Sequence, residues 1–322
     1  MCGIDSEKLG QLIAARGAER HKATRSPFGP DDEIGMLNLM SDATRRAVMS
    51  EADFGSPFDL SVEFFPGMPS WTKAGDPSFQ IWMSHTPDGT VVDDPMGLGT
   101  EVNERIGYSG DCVMFYTHTG THIDTLNHYA YHGEMWNGFK VDEHLGSRHW
   151  AVAGADKFPP IVSRGIMIDV AAAQGVEILP NAFGIGEAEL KAALERQGTE
   201  VRPGDVVLVR TGRMTVWPEP DAFMTDEPGL NRDGAEFLAK AGAIVIGADN
   251  LALEQMPSAD PESWVPVHTY LLIEAGVPII ELAHLEDLAA ESLYEFAFIG
   301  SCERFRGATA APMRPMALPL RS

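Results

Sequence analysis

Three histidines and one aspartate lie within eleven consecutive residues, His118-Thr119-Gly120-Thr121-His122-Ile123-Asp124-Thr125-Leu126-Asn127-His128. The preceding residues, 111–116, are rich in β-forming types, which predicts a buried strand that leads into this stretch. If the strand continues, its side chains alternate between two faces. His118, His122 and Asp124 then share one face, and Gly120 between them leaves room for an ion.

A helix would also bring His118 and His122 together, because residues four positions apart lie on the same helical face. The Thr-Gly-Thr sequence between them consists of poor helix formers, so the strand is favoured. Two imidazoles and a carboxylate with open coordination positions are typical of a catalytic divalent metal. The alternative is a strand end with structural core histidines, and the clustering of so many ligand-type side chains argues against it.

The stretch resembles the motif H-x-G-T-H-x-D-x-x-x-H of a family of metal-dependent cyclases, which includes bacterial kynurenine formamidases and isatin hydrolases. The resemblance extends over about residues 31–300. It implies an α/β fold of the swivelling β/β/α type, with a mixed β core covered by helices. It also implies that His118, His122 and Asp124 bind a metal ion and that His128 acts in acid–base catalysis.

A second informative stretch lies near the C-terminus. His268 opens a short apolar helix that ends at Gly276, and Glu281 follows the next apolar strand. A carboxylate at the end of a buried strand is unfavourable unless a partner neutralises it, and an arginine or a metal ion could do so. The resemblance implies that His268 and Glu281 bind a second metal ion, with Asp124 bridging the two ions.

Composition limits the classes of partner. A net charge of −23 disfavours binding to nucleic acid or to an anionic membrane, because both would repel the chain. The three cysteines lack C-x-x-C spacing, which argues against a disulfide framework or a cysteine zinc site. No apolar run approaches about 18 residues, and the N-terminus has no signal-like pattern. We therefore expect a cytoplasmic protein.

The order of elements predicts the domain organisation. We expect an N-terminal helical arm over residues 1–55, packed on the core or on a neighbouring subunit, and a single catalytic domain over residues 56–322. In that domain, apolar strands alternate with amphipathic helices, which indicates a buried mixed sheet covered by helices. The resemblance implies a homodimer or homotetramer. The predicted strands are 58–62, 164–170, 206–212 and 243–249, and the predicted helices are 187–197 and 233–240.

Three aromatic residues are candidates for substrate binding. Trp71 ends a proline-rich turn, and Tyr131 and Trp136 lie in an aromatic segment after the histidine motif. The resemblance implies that both segments line the pocket, although a buried structural role is the alternative for each. The chain departs from the family pattern at Leu126, where shorter members have proline, and at Ala252, where a serine is found. The resemblance places both positions in the pocket region, so these departures bear on which substrate binds more than on metal binding.

These observations and the resemblance predict a metal-dependent hydrolase. It would cleave an amide or related acyl bond of a small molecule, such as a formamide, cyclic amide or lactone, with water activated by the metal. The site would bind one or two zinc or manganese ions, because both metals accept histidine and carboxylate ligands. Two alternatives stay open: a metal-dependent lyase or isomerase that stabilises an enolate, and a non-catalytic protein with a structural metal site.

Overall fold

A nine-stranded mixed sheet forms the centre of the part of the chain that the computed structural model describes, residues 20–217 and 219–321. In chain order, the strands of these residues are β1 (Phe58–Asp59), β2 (Gln80–His85), β3 (Gly110–Met114), β4 (His122–Asp124), β5 (Ile161–Asp169), β6 (Gly184–Ile185), β7 (Val206–Arg210), β8 (Gly229–Leu230), β9 (Val245–Ala248), β10 (Ile279–Glu281), β11 (Glu295–Gly300), β12 (Ala310–Pro312) and β13 (Met316–Pro319). The order in the sheet is β1-β13-β11-β5-β7-β9-β10-β4-β12.

Helices connect and cover these strands. The α-helices of the described residues are α1 (Asp42–Glu51), α2 (Pro87–Asp93), α3 (Thr100–Asn103), α4 (Val141–His144), α5 (Val170–Ala173), α6 (Glu187–Gln197), α7 (Pro220–Met224), α8 (Arg232–Lys240), α9 (Pro266–Thr269) and α10 (Glu286–Ala290). A π-helical segment, Tyr270–Ala275, continues directly from α9. None of the helices in the described ranges is long and apolar enough to span a membrane.

The central strands β5, β7, β9 and β10 are parallel, and the strands on both sides of them are antiparallel. All five residues of β7 are buried, as expected for a parallel strand covered on both faces. Helix α6 has the predicted limits, buries Leu190, Ala193 and Leu194, and ends at Gly198, which has a φ of +68°. The predicted α/β class, with a mixed sheet and covering helices, is confirmed.

The strand before the histidine motif differs from its prediction. β3 pairs with β2 in a separate two-stranded sheet, and four of its five residues are exposed. Cys112, in the middle of this strand, is exposed as well. The prediction of a buried strand was wrong because β-forming apolar residues specify an extended backbone, while the pairing partner decides whether the strand enters the core.

The N-terminal region is less helical than predicted. Residues 1–19 of the predicted arm lie outside the described residues, and 20–34 contain no helix. A short 3₁₀ helix, Gly35–Leu39, is followed by α1, whose N-cap residue Ser41 forms a capping box with Thr44. Met36 and Leu37 belong to the main hydrophobic core, so this region packs against the sheet. The predicted boundary between the N-terminal arm and the catalytic domain, at residue 55, stays a prediction.

Candidate metal centre

Strand β4 positions two of the histidine motif's side chains. It lies between β10 and β12, antiparallel to both, and its register places His122 opposite Glu281. Residues opposite each other in an antiparallel pair have their side chains on the same face of the sheet. His122 and Asp124, two positions apart, also share a face. The register alone therefore brings these three ligand-type side chains together.

The strand does not extend back to His118, contrary to the sequence-based expectation. Gly120 has a φ of +65°, in the left-handed region, and the chain turns there. A Cβ at this position would lie 2.3 Å from the ring of Phe64, so the glycine permits close packing rather than leaving space for an ion. The Gly120 carbonyl lies 2.7 Å from His122 Nδ1, and the turn returns His118 to the same cluster.

The cluster centres on the carboxylate of Asp124, which is fully buried. Its Oδ1 lies 2.7 Å from His118 Nδ1 and 3.3 Å from His122 Nε2. Its Oδ2 lies 3.6 Å from His268 Nε2 and 3.9 Å from His128 Nε2. All four predicted histidines therefore approach one carboxylate.

Glu281 completes the cluster on the side of β10. Its two carboxylate oxygens each lie 3.2 Å from a histidine nitrogen, Oε2 from His122 Nε2 and Oε1 from His268 Nε2. The sequence offered an arginine as an alternative partner for this carboxylate, but its ion-pair contacts among the described residues are these two histidines. The structure thus brings together every residue that the sequence predicted as a metal ligand.

The donor atoms fit a metal ion. His122 Nε2 and both carboxylate oxygens of Asp124 are buried and have no hydrogen-bond partner among the described residues, although other polar atoms lie near them. Bonds of about 2.0–2.2 Å from a metal to nitrogen and oxygen place ligand atoms about 3–3.5 Å apart. The observed separations lie around that value. Buried atoms that converge without hydrogen bonds are expected where a cation, rather than a proton, joins them.

The ligand-type side chains form two groups, and within each group the ligand atoms all lie within 4.8 Å of one another. Asp124 belongs to both groups. One contains His118, Asp124 and His128, and the other contains His122, Asp124 and Glu281. This grouping differs from the predicted one, which placed His118 and His122 on the same ion. The shared position of Asp124 agrees with a bridging carboxylate. The assignment of each residue to an ion stays a prediction.

The electrostatics of the cluster favour a positive charge. The pKa of His122 is raised to about 10, because contacts with Asp124 and Glu281 outweigh burial, which would lower it. The pKa of His268 is raised well above its usual value, again against the effect of burial, by neighbouring carboxylates. Burial would raise the pKa of Asp124, but the charge of His118 and the contacts with His118 and His122 hold it well below its usual value. Protons or a divalent cation can supply this charge.

His128 has a different environment from the other histidines. Its side chain is 18% exposed and faces the cavity beside the cluster, with its ring 4.0 Å from that of His118. Burial and the charge of His118 lower the pKa of His128 well below its usual value. The imidazole is therefore neutral at neutral pH and can accept a proton.

A cavity of about 180 Å³ opens onto the cluster. His118, Asp124, His128, His268 and Glu281 lie along its wall. The rest of the wall is mainly apolar and aromatic, and no lysine or arginine of the described residues lines it. Its other side chains include Trp71, Asp76, Tyr116, Tyr129, Met256 and Trp264.

The three predicted substrate-binding residues have different positions. Trp71 lines the cavity, as the pocket prediction requires. Tyr131 lies outside it and points to Glu274, with a 3.3 Å contact between its hydroxyl and the carboxylate. Trp136 is fully buried, and its indole nitrogen donates to Asp32 Oδ2 at 3.2 Å. The pocket assignment of Tyr131 and Trp136 was wrong, because the chain turns away from the cavity after Tyr129.

Sequence reasoning missed several residues of the site. Tyr116 and Tyr129 flank the histidines, with their rings 4.8 Å from that of His118 and 4.4 Å from that of His128. Both are adjacent to the motif, so proximity in sequence could have identified them. Thr309, whose hydroxyl lies 3.0 Å from His118 Nε2, and the buried Glu254 come from distant loops without a recognisable pattern.

Comparisons with known proteins agree with this geometry. Residues 58–255 match the model of the Cyclase family, described as "Putative cyclase". A crystal structure of a novel cyclase is similar over 90% of this chain and 97% of its own, with a TM-score of 0.79 and 25% identity. None of the curated proteins gives a match.

Two further solved structures share the fold at lower identity. Isatin hydrolase A from Ralstonia solanacearum has a TM-score of 0.62 and 18% identity, over 82% of this chain and 92% of its own. A potential metal-dependent hydrolase with cyclase activity has a TM-score of 0.52 and 19% identity, over 81% and 98%. The family model covers more than half of the chain, including the whole histidine motif. The chain therefore belongs to the cyclase family.

Proposed function

We propose that this protein is a metal-dependent hydrolase that cleaves an amide or related acyl bond, such as a formamide, cyclic amide or lactone, in a small molecule. The observation that carries this proposal is the buried convergence of histidine and carboxylate atoms, unpartnered at Asp124 and His122, at the wall of a cavity. The names of proteins with a similar fold, isatin hydrolase and metal-dependent hydrolase, favour hydrolysis over other metal chemistry.

The ligands proposed are the predicted ones: His118, His122, Asp124, His268 and Glu281. We propose two zinc or manganese ions, because the two carboxylate oxygens of Asp124 face different ligands: Oδ1 faces His118 and His122, and Oδ2 faces His268. A divalent metal, when bound, polarises a carbonyl oxygen and lowers the pKa of a water molecule to about 7.

His128 is proposed as the acid–base residue. Its ring is neutral at neutral pH and lies partly exposed at the cavity. The other three histidines each have a second polar partner, which is Thr309 for His118, the Gly120 carbonyl for His122 and Glu254 for His268. It can accept a proton from the attacking water and return it to the leaving nitrogen or oxygen. Asp124, 3.9 Å away, keeps the resulting imidazolium close to a negative charge.

The cavity favours an uncharged substrate with a flat apolar part. Trp71, Tyr116, Tyr129 and Trp264 supply aromatic surface, and Trp264 is 68% exposed at the opening. Asp76 adds a further negative charge to the wall, beyond those of the metal cluster. An anionic substrate would meet no lysine or arginine among the described wall residues.

The test combines metal content with a substrate panel. Protein purified without chelators is analysed for metal by mass spectrometry and assayed, after loading with zinc or manganese, on uncharged aryl formamides, cyclic amides and lactones. Products that gain one water molecule support hydrolysis, whereas products of unchanged mass, or elimination products, indicate an isomerase or a lyase.

The matched variants are Asp124→Asn and Asp142→Asn, since Asp142 is exposed and lies away from the cluster. Asp124→Asn is expected to lose bound metal and activity, while Asp142→Asn retains both. Wild-type protein that binds no metal would overturn the proposal.

We also propose that the chain forms a homo-oligomer through the β2–β3 segment, residues 80–114. Five large apolar side chains on its two strands are about half exposed, although a two-stranded sheet alone is marginally stable in water. Light scattering is expected to show a dimer or tetramer for the wild type and a smaller species for Ile81→Lys/Met83→Lys. Val176→Lys, at an exposed site elsewhere, is the control. The five side chains are Ile81, Trp82, Met83, Val113 and Met114.

A further inference from the structure

Glu254 is a fully buried carboxylate beside the metal cluster. It lies in the loop after β9, and its carboxylate contacts helix α9. Its Oε1 accepts a hydrogen bond from the backbone nitrogen of His268 at 3.1 Å and lies 2.5 Å from the Nδ1 of the same residue. Its Oε2 accepts from the backbone nitrogen of Val267 at 3.2 Å. The carboxylate therefore holds both the backbone and the ring of His268.

The loop that carries Glu254 is itself held by β8. The backbone nitrogen of Leu230 donates to the carbonyl of Leu253, and that of Gln255 donates to the carbonyl of Leu230. A Cβ on Gly229 would lie 2.5 Å from the carbonyl carbon of Glu254, so the two backbones pack in direct contact. Glu254 therefore approaches His268 from a fixed support.

This contact determines which nitrogen of His268 faces the cluster. With Nδ1 at the Glu254 carboxylate, Nε2 lies 3.2 Å from Glu281 Oε1 and 3.6 Å from Asp124 Oδ2. An imidazole that donates its Nδ1 hydrogen keeps an unshared electron pair on Nε2, which is the form that binds a metal. A neutral Gln at position 254 would accept this hydrogen less strongly.

The other two histidine ligands proposed above have weaker partners. Nδ1 of His122 lies 2.7 Å from the carbonyl oxygen of Gly120, and Nε2 of His118 lies 3.0 Å from the hydroxyl of Thr309. Only His268, of these three, has a carboxylate as its outer partner. A carboxylate orients the ring and also increases the basicity of the ligand nitrogen.

We propose that Glu254 is a positioning residue that orients His268 as a metal ligand and strengthens the binding of the ion held by His268 and Glu281. This inference rests on the proposed metal-dependent function, but it concerns a residue that does not itself contact the cavity. Its effect is on the affinity of one ion and on the proton position of one ring.

The test compares Glu254→Gln with Glu274→Gln. Glu274 is a fully buried carboxylate on the segment that continues α9, and it pairs with Arg232 rather than with His268. Both variants lose a buried negative charge near the same helix. Zinc is titrated into metal-free protein against a competing chromophoric chelator, and thermal unfolding is followed with and without zinc.

We expect Glu254→Gln to bind one of two zinc ions about 10- to 100-fold more weakly, with the other ion unaffected. Glu274→Gln is expected to lower the thermal midpoint without changing either affinity. Equal zinc affinities in wild type and Glu254→Gln would overturn the inference and leave the proposed function intact. Wild-type protein that binds neither zinc nor manganese would overturn both.

A measurement on the wild type covers the case in which Glu254→Gln does not fold. In zinc-loaded protein with ¹⁵N-labelled histidine, His268 is identified by the signals that His268→Gln removes. We expect its Nδ1 to carry a proton and its Nε2 to show the shift of a metal-bound nitrogen. An unprotonated Nδ1 would contradict the proposed contact with Glu254.

Discussion

His122 and Glu281 stand directly opposite each other in the antiparallel pair of β4 and β10, with Nε2 of the histidine 3.2 Å from Oε2 of the glutamate. The two residues are distant in sequence, and the strand register alone brings them together. The paired strands therefore set the backbone positions of this half of the cluster.

The first prediction follows from this pair. Glu281→Gln replaces a charged ligand by a neutral one of the same shape, and we expect it to lose one of two metal equivalents and most of the activity. Elemental analysis of the purified variant checks the stoichiometry. Glu291→Gln is the control, because Glu291 is exposed and lies away from the cluster. Two equivalents in Glu281→Gln would exclude Glu281 as a ligand.

The second prediction concerns His128. We expect His128→Asn to keep the full metal content and to reduce turnover by about 10²- to 10⁴-fold, the range for loss of a general acid–base residue. His149→Asn, at an exposed histidine, should leave turnover unchanged. If His128→Asn loses metal instead, His128 is a ligand in the group with His118 and Asp124, and another residue must transfer the proton.

Local sequence information was sufficient for the centre of the site but not for its surroundings. His118, His122, Asp124 and His128 are close in sequence, so one motif identified them all. Elsewhere, the carboxylate of Glu281 at the end of an apolar strand indicated a buried partner. Residue type and spacing pointed to these residues, and the family resemblance implied the roles of His128, His268 and Glu281.

The errors arose where position depends on long-range packing. Trp136 and Tyr131 are aromatic residues near the motif, but hydrogen bonds to Asp32 and Glu274 direct them away from the cavity. Glu254 gave no signal, because an acidic residue in a loop is usually exposed. Only the path of the loop beside β8 shows that it is buried.

The third prediction tests the turn at Gly120. Its φ of +65° costs an alanine about 1–2 kcal/mol, and a Cβ there would also overlap the ring of Phe64. Gly67 provides a matched control, because its φ is +88° and nothing lies within 4 Å of the position of a Cβ. Both alanine variants pay the backbone strain, but only Gly120→Ala meets a neighbouring ring.

We expect Gly120→Ala to reduce the free energy of unfolding by about 1–3 kcal/mol more than Gly67→Ala does, the usual cost of overpacking. It should also weaken metal binding, because the Gly120 carbonyl holds the ring of His122. Urea unfolding and zinc titration of both variants measure the two effects. Equal losses of stability would mean that Phe64 moves aside freely.

The last prediction concerns Glu227, a buried carboxyl group that contacts the loop carrying Glu254. Burial raises its pKa to about 8 from the ordinary value of 4.5, although the backbone nitrogen of Leu251 donates to its Oε2 at 2.7 Å. Between these two pKa values, the folded protein keeps a proton that the unfolded chain has lost. The contribution of this group is therefore complete below about pH 4.5 and is lost as pH rises through about 8.

Glu227→Gln removes this ionisation and keeps a carbonyl oxygen that can accept from Leu251. We expect the variant to gain free energy of unfolding relative to the wild type as pH rises from about 5.5 to 8, by at most about 1.4 kcal/mol per pH unit. Urea unfolding at several pH values measures the difference, and Glu291→Gln again serves as the exposed control. A difference in the free energy of unfolding between Glu227→Gln and the wild type that does not change with pH would mean that Glu227 is ionised in the folded protein. The charge of Arg213 would then stabilise the ionised carboxylate.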